Sequence, residues 1–194
     1  MGKSIQLVPP PGFCKLGDSP IEREIEQFQR QNAAPVGELA QLAVPCTELN
    51  DFRSRKIENF TRWVQVLVLK QKGQLKTVTS PRASFVRATA GHLADSPPDM
   101  NALSARIKDQ LAKSDSSVSG ATAQTIGATS EAAFIEISMT ATVGAWTSPV
   151  VGVGAITLAN QLPVAVYAFA TPKARGESPV ETTRAYLRKV IELN

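Results

Sequence analysis

From Ile137 to Pro172 the chain reads ISMTATVGAWTSPVVGVGAITLANQLPVAVYAFATP, without one Asp, Glu, Lys or Arg. A membrane span, a glycine-rich phosphate cradle and a buried sheet each make use of such a run. A membrane helix needs roughly 20 consecutive apolar residues, and Pro149, Asn160, Gln161 and Pro163 leave no window of that kind. A phosphate cradle needs its glycines between a strand and a helix, with backbone N–H groups aimed at the anion from the helix N-terminus. GVGAIT lies inside a strand pattern instead, with no third Gly and no Lys-Ser/Thr pair after it. Val151, Val153, Ala155 and Thr157 alternate with Gly152, Gly154, Ile156 and Leu158, and Val164 to Ala170 is apolar on both faces, with Tyr167 and Phe169 together on one. The stretch therefore reads as three strands, the last two a β-hairpin turning near ANQL. Gly152 and Gly154 mark a bulge or the close approach of another backbone.

Strands without charge need covers, and two segments announce helices. SPIE at Ser19 to Glu22 and SPVE at Ser178 to Glu181 each offer a Ser N-cap, a Pro at the first helical position and a Glu that can reach back to the cap. Ile21, Ile25 and Phe28 continue the first helix to about Gln31, and Val180, Thr183, Leu187, Val190 and Ile191 make the apolar stripe of the last. These two are the helices expected over the uncharged strands. A helical insert at about 80–115 combines SPRASFVRATAGHLA with DMNALSARIKDQLAKSD, broken at DSPPD. KSIQLV, GELAQLAV, FTRWVQVLVLK and AAFIEISMTATV read as strands, the last with Ile135, Ile137, Met139 and Ala141 on one face and polar residues on the other. The run at about 114–130, rich in Ser, Ala and Thr, reads as a flexible loop with room for a short strand at its end. PPPGFC reads as a stiff, extended exit from the first strand.

A chain of 194 residues suits one domain, and 43% hydrophobic against 20% charged residues supports a folded core. The net charge of +4 favours solubility without naming a partner. Its distribution is uneven: no acid lies between Glu58 and Asp95, where Arg62, Lys70, Lys72, Lys76, Arg82 and Arg87 fall. That pattern is either a solvated basic edge or a patch for an anionic partner such as a lipid headgroup or polyanion. No nucleic-acid module, cofactor motif or metal-ligand spacing is present. The one histidine, His92, lacks a nominated Ser and carboxylate for hydrolytic chemistry and a second His for a metal. Glu22, Glu24 and Glu26 are accounted for by the helix dipole and solvation, and Glu48, Asp51 and Glu58 are scattered around a short amphipathic segment. Cys14 and Cys46 are too far apart for a CxxC motif; either they pair in an oxidising compartment or both thiols are free, as in the cytoplasm.

Taken in order, Pro11, Gly12, Phe13 and Cys14, then Cys46 with Leu49, then GAITLANQLPVAVYAFA and the helix reaching Asn194 resemble a group of uncharacterised exported proteins of proteobacteria. The same order is similar to the Mog1/PsbP-like α/β/α sandwich, an α+β fold with an antiparallel sheet and helices on both faces. The helical insert and the Ser/Ala-rich run have no counterpart there. The resemblance implies a periplasmic or secreted protein with a Cys14–Cys46 disulfide, and no catalytic residue to carry over. The expectation for function is thus a non-catalytic domain binding a protein or small ligand against its sheet or loops. An anionic-surface binder using the stretch 62–87, and an enzyme of unrecognised class, are the alternatives.

Overall fold

In a computed structural model that describes residues 3–96 and 116–194, the chain alternates short helices with the strands of one sheet. The order is β1 (Phe13–Lys15), α1 (Pro20–Ala33), β2 (Gly37–Pro45), α2 (Cys46–Arg53), β3 (Arg62–Gln71), β4 (Gln74–Leu75), α3 (Arg82–Asp95), β5 (Ser116–Ala128), β6 (Ala133–Val143), β7 (Trp146–Ala159), β8 (Leu162–Ala170) and α4 (Pro179–Leu193). The sheet is 8-stranded, open and antiparallel, with β1, β2, β3, β8, β7, β6 and β5 side by side and β4 folded back on β3. The chain is therefore α+β, with four helices among the described residues.

The uncharged stretch forms β8, β7 and most of β6. Its hairpin turns at Asn160 and Gln161, both with positive φ (47° and 67°), the geometry whose twist matches two paired strands. Pro149 lies within β7 rather than before it. It precedes Val151, where pairing with β8 begins, so on that side it faces no strand and its missing N–H is tolerated.

One face of the sheet is closed by α4. Val64, Val66, Val164, Val166 and Ala168 pack against Tyr186 and Val190, and Leu187 meets Phe134 and Ala155. Each such large side chain contributes roughly 1.5–3 kcal/mol when fully buried. Thr183 Oγ1 donates to the Val153 carbonyl at 2.9 Å, and the Tyr186 hydroxyl, whose pKa burial pushes up, donates to Gln41 Oε1. The full capping box expected at SPVE is present: Ser178 Oγ accepts from Glu181 N–H, and Glu181 Oε2 accepts from Ser178 N–H at 2.9 Å.

On the other face two helices share the work. Ile25 and Ala33 of α1 pack on Leu39, Leu42 and Leu67, while Val86 and Leu93 of α3 pack on Ala133, Ile135, Ile156 and Ala165. This corrects the expectation that the first helix covers the uncharged strands. It lies over β2, and α3 takes that place because β5 to β8 return as a meander beside β3.

Four further expectations change. Lys3–Val8 joins no ladder; Ile5 and Leu7 pack on the core, and Asn194 side-chain atoms bind Gln6 N–H and C=O at 2.9 and 3.0 Å. PPPGFC is a tight turn, not an extended exit: Phe13 N–H bonds the Pro10 carbonyl, with Pro11 and left-handed Gly12 (φ 79°) at the two central positions. The run expected as a flexible loop at about 114–130 forms β5 over Ser116–Ala128. Register shifts between Ser119 and Thr122 and between Thr125 and Gly127 break its period of two, which hides a strand from any alternation test. SPIE makes only half a capping box. Ser19 Oγ accepts from Glu22 N–H, but the Glu22 carboxylate turns away to Gly17 N–H and Arg53. The segment DMNALSARIKDQLAKSD in the helical insert lies outside the described residues.

Candidate functional site: an apolar groove on the sheet

Between α1 and α3 the described residues leave a strip of the sheet face uncovered. The odd residues of β3 point there, as the alternation of that strand requires, placing Trp63, Gln65, Leu67 and Leu69 in a row. Tyr167 and Phe169 of β8 and Ile135, Ile137, Met139 and Ala141 of β6 continue the same surface. Ile21, Ile25 and Phe28 of α1 form one wall, Leu93 of α3 contributes to the other, and Val118 and Ala123 of β5 close the far edge. The groove encloses about 680 Å³, within the roughly 300–1,000 Å³ of small-molecule sites.

Gly152 and Gly154 set the shape of its floor. A Cβ on Gly152 would sit 2.4 Å from Phe169 Cδ1, and one on Gly154 would sit 2.4 Å from Tyr167 Cε1. Neither is a normal contact, so both rings lie flat on β7 only because these residues lack side chains. Trp63 stacks on Phe169 with centroids 5.2 Å apart, and Tyr167 lies beside Phe169 at 5.9 Å. Offset stacking of this kind is favourable beyond the area it buries. What approaches the glycines closely is thus an aromatic ring from the neighbouring strand.

Few polar groups face this space. Asn32 Oδ1 and Gln65 Oε1 are buried and accept no hydrogen bond from a described residue. Glu24 and Glu58 are the only charged side chains among the described lining residues, and both are exposed. Burial pushes the Tyr167 phenol up to about 12, which keeps it neutral.

The basic residues stand elsewhere. Arg62 begins β3, its guanidinium 5.6 Å from the Phe13 ring centroid. Lys70 is near the opposite end of β3 and donates to the Ala34 carbonyl; Lys72 and Lys76 are on the β4 hairpin; Arg82 and Arg87 are on α3. Arg82 Nε donates to Leu158 C=O at 2.9 Å, which places the start of α3 at the Lys70 end of the sheet. None of the six lines the groove. His92 is exposed in the last turn of α3. Cys14 and Cys46 are bonded to each other, tying β1 to the start of α2. No helix among the described residues is long and apolar enough to cross a membrane.

One ion pair escapes a reading of the sequence. Glu22 is only 2% exposed, and Arg53 grips it with Nε at 2.9 Å and Nη2 at 3.0 Å. The Arg53 hydrogen bond, against desolvation and with help from Gly17 N–H, holds the Glu22 carboxyl down at about 2. Nothing local couples residues on two separate helices, so no spacing signal exists for it. The groove had a signal: the G-x-G of β7 and the Y-x-F of β8 stand opposite each other once the hairpin turn is placed. In comparisons with known proteins, neither a family model nor a curated protein matches this chain.

Proposed function

We propose that the protein is a non-catalytic binding domain, exported to the periplasm or secreted, that takes an elongated apolar ligand along the groove over Trp63, Phe169 and Tyr167. The observation that carries this is the groove itself: a sheet face of apolar and aromatic side chains that the described residues leave open between two helices. The disulfide supports export, because cytosolic thiol pools keep such bonds reduced. An antiparallel sheet with helices on both faces supports the Mog1/PsbP-like sandwich as its fold type. The test is titration with the neutral dye N-phenyl-naphthylamine, whose fluorescence rises in apolar surroundings. Saturable enhancement that is lost in Ala123→Phe and Ala141→Phe, which fill the groove, is the expected result. Enhancement of equal size in the filled variants would overturn the assignment.

A second reading, an anionic-surface binder, draws support from Lys70, Lys72, Lys76, Arg82 and Arg87 sharing one end of the sheet. It requires vesicle binding that weakens steeply with salt; binding that survives charge reversal at Lys70, Lys72 and Lys76 would remove it.

A further inference from the structure

We infer that the hairpin from Lys70 to Lys76 docks the protein on an anionic phospholipid bilayer, with its lysines at the phosphates and Leu75 in the interface. The inference rests on the second reading above and names the bilayer, in place of a soluble polyanion, as the partner. KQKGQLK carries three lysines, and the chain holds no acid from Asn59 to Ala94. The segment stands clear of the main sheet. The register of β3 with β8 ends at Val68 and that with β2 at Leu69, and only β4 follows it further, pairing Lys70 with Leu75 and Gln71 with Gln74. Lys72 (φ 50°) and Gly73 (φ 79°) make the turn, with the two positive φ values that two-residue hairpins favour. Every residue from Lys72 to Thr77 is exposed.

Two properties of this tip favour a bilayer. Its lysines meet no anion among the described residues: Lys72 and Lys76 make no ion pair, and Lys70 Nζ reaches only the Ala34 carbonyl, at 3.4 Å. The flanking strands β2 and β8 bring one carboxylate, Glu38, opposite Val68. Apolar side chains are exposed among these cations. Leu75 is 43% exposed, and Val36, whose carbonyl accepts from Lys70 N–H at 3.0 Å, is 36% exposed, so Lys70 has one on each side. Leu75 also borders a hollow of about 380 Å³ lined by Ile5, Val68 and Leu162, with Lys3 beside them. Protection of a sheet edge accounts for lysines alone, and lysines alone suffice for a soluble polyanion. A bilayer interface uses both features, cations near its negative surface and apolar side chains at the headgroup boundary.

The test is sedimentation of the full chain with vesicles of equal parts phosphatidylglycerol and phosphatidylcholine, compared with pure phosphatidylcholine vesicles and with immobilised heparin. Binding to the anionic vesicles and not to the neutral ones, falling steeply with salt, is the expected result. Lys72→Glu combined with Lys76→Glu should weaken it at least about tenfold. Leu75→Ser should weaken it about fivefold without changing retention on heparin. Val151→Ser is the control, since Val151 is as exposed (44%) but lies in the row of Ala170 and Arg62 at the other end of the sheet. It should bind like the parent, with circular dichroism confirming the fold of every variant. Equal vesicle binding by Leu75→Ser and the parent, or equal losses in Leu75→Ser and Val151→Ser, would overturn the inference and leave the anionic-surface reading standing. Heparin binding without vesicle binding would overturn it in favour of a polyanion. Binding to neither would overturn the second reading as well.

Discussion

At the scale of the residue, two glycines and one carboxylate carry most of what is specific. Gly154→Ala drives a methyl group into Tyr167, and we expect a loss of about 1–3 kcal/mol in urea unfolding, the usual cost of overpacking. In a Tyr167→Ala background the same change should cost less, with Ile135 Cγ1 at 3.0 Å the tight contact that remains, and an equal cost in both backgrounds would contradict the flat-ring floor. The pattern was legible: G-x-G and Y-x-F are visible in the chain, and only the register that opposes them had to be supplied. Glu22 was not legible. SPIE explained it fully as half of a capping box, and the competing partner Arg53 comes from another helix. Because Glu22 is held near 2, below its ordinary 4.5, its contribution is present above about 4.5 and disappears as pH falls toward about 2. Glu22→Gln should cost roughly 1–3 kcal/mol at neutral pH, an amount tempered by the half-exposed guanidinium, and the gap to the parent should close on acidification. A gap that stays constant from neutral pH to about 2 would mean the pair contributes nothing through charge.

At the scale of the element, the two Ser-Pro-x-Glu starts look alike in sequence and differ in the fold. Ser178 is tied to Glu181 in both directions, whereas Ser19 has a single contact of 3.4 Å. Ser178→Ala should therefore cost about 1 kcal/mol and Ser19→Ala distinctly less, read from denaturant midpoints. Equal costs would show that the second contact of the Ser178 hydroxyl, donated to Glu181 Oε2 at 3.0 Å, adds nothing. β3, β6 and β7 were readable from their two-residue alternation, and β8 from an unbroken apolar run bounded by the ANQL turn. β5 was not, since two register shifts scramble its period and its Ser, Thr and Ala residues carry weak burial information. Lys3–Val8 had the composition of a strand without a partner to pair with, and propensity alone cannot report the missing neighbour.

At the scale of the whole molecule, the sequence showed an α+β chain with covered strands but not which helix covers which face. That depends on β5 to β8 returning beside β3, a long-range choice with no local trace. The groove follows from the same choice, since it is the strip of sheet that the described residues leave between α1 over β2 and α3 over the meander. The Cys14–Cys46 bond braces the α1 side of this arrangement by closing a separation of 32 residues. Replacing both cysteines with serine should lower stability by roughly 3–4 kcal/mol on the chain-entropy model; an unchanged urea midpoint would show that the brace adds nothing to the fold. The most direct test of the groove as a ligand site is an amide-resolved NMR titration of the full chain with decanol, a probe that isolates the apolar contribution. The account predicts saturable shifts of the Trp63 and Trp146 indole N–H signals and of the Gly152 and Gly154 amides, with the exposed residues of α4 silent. Shifts confined to α4, or to the basic end around Lys70 and Arg87, would contradict it.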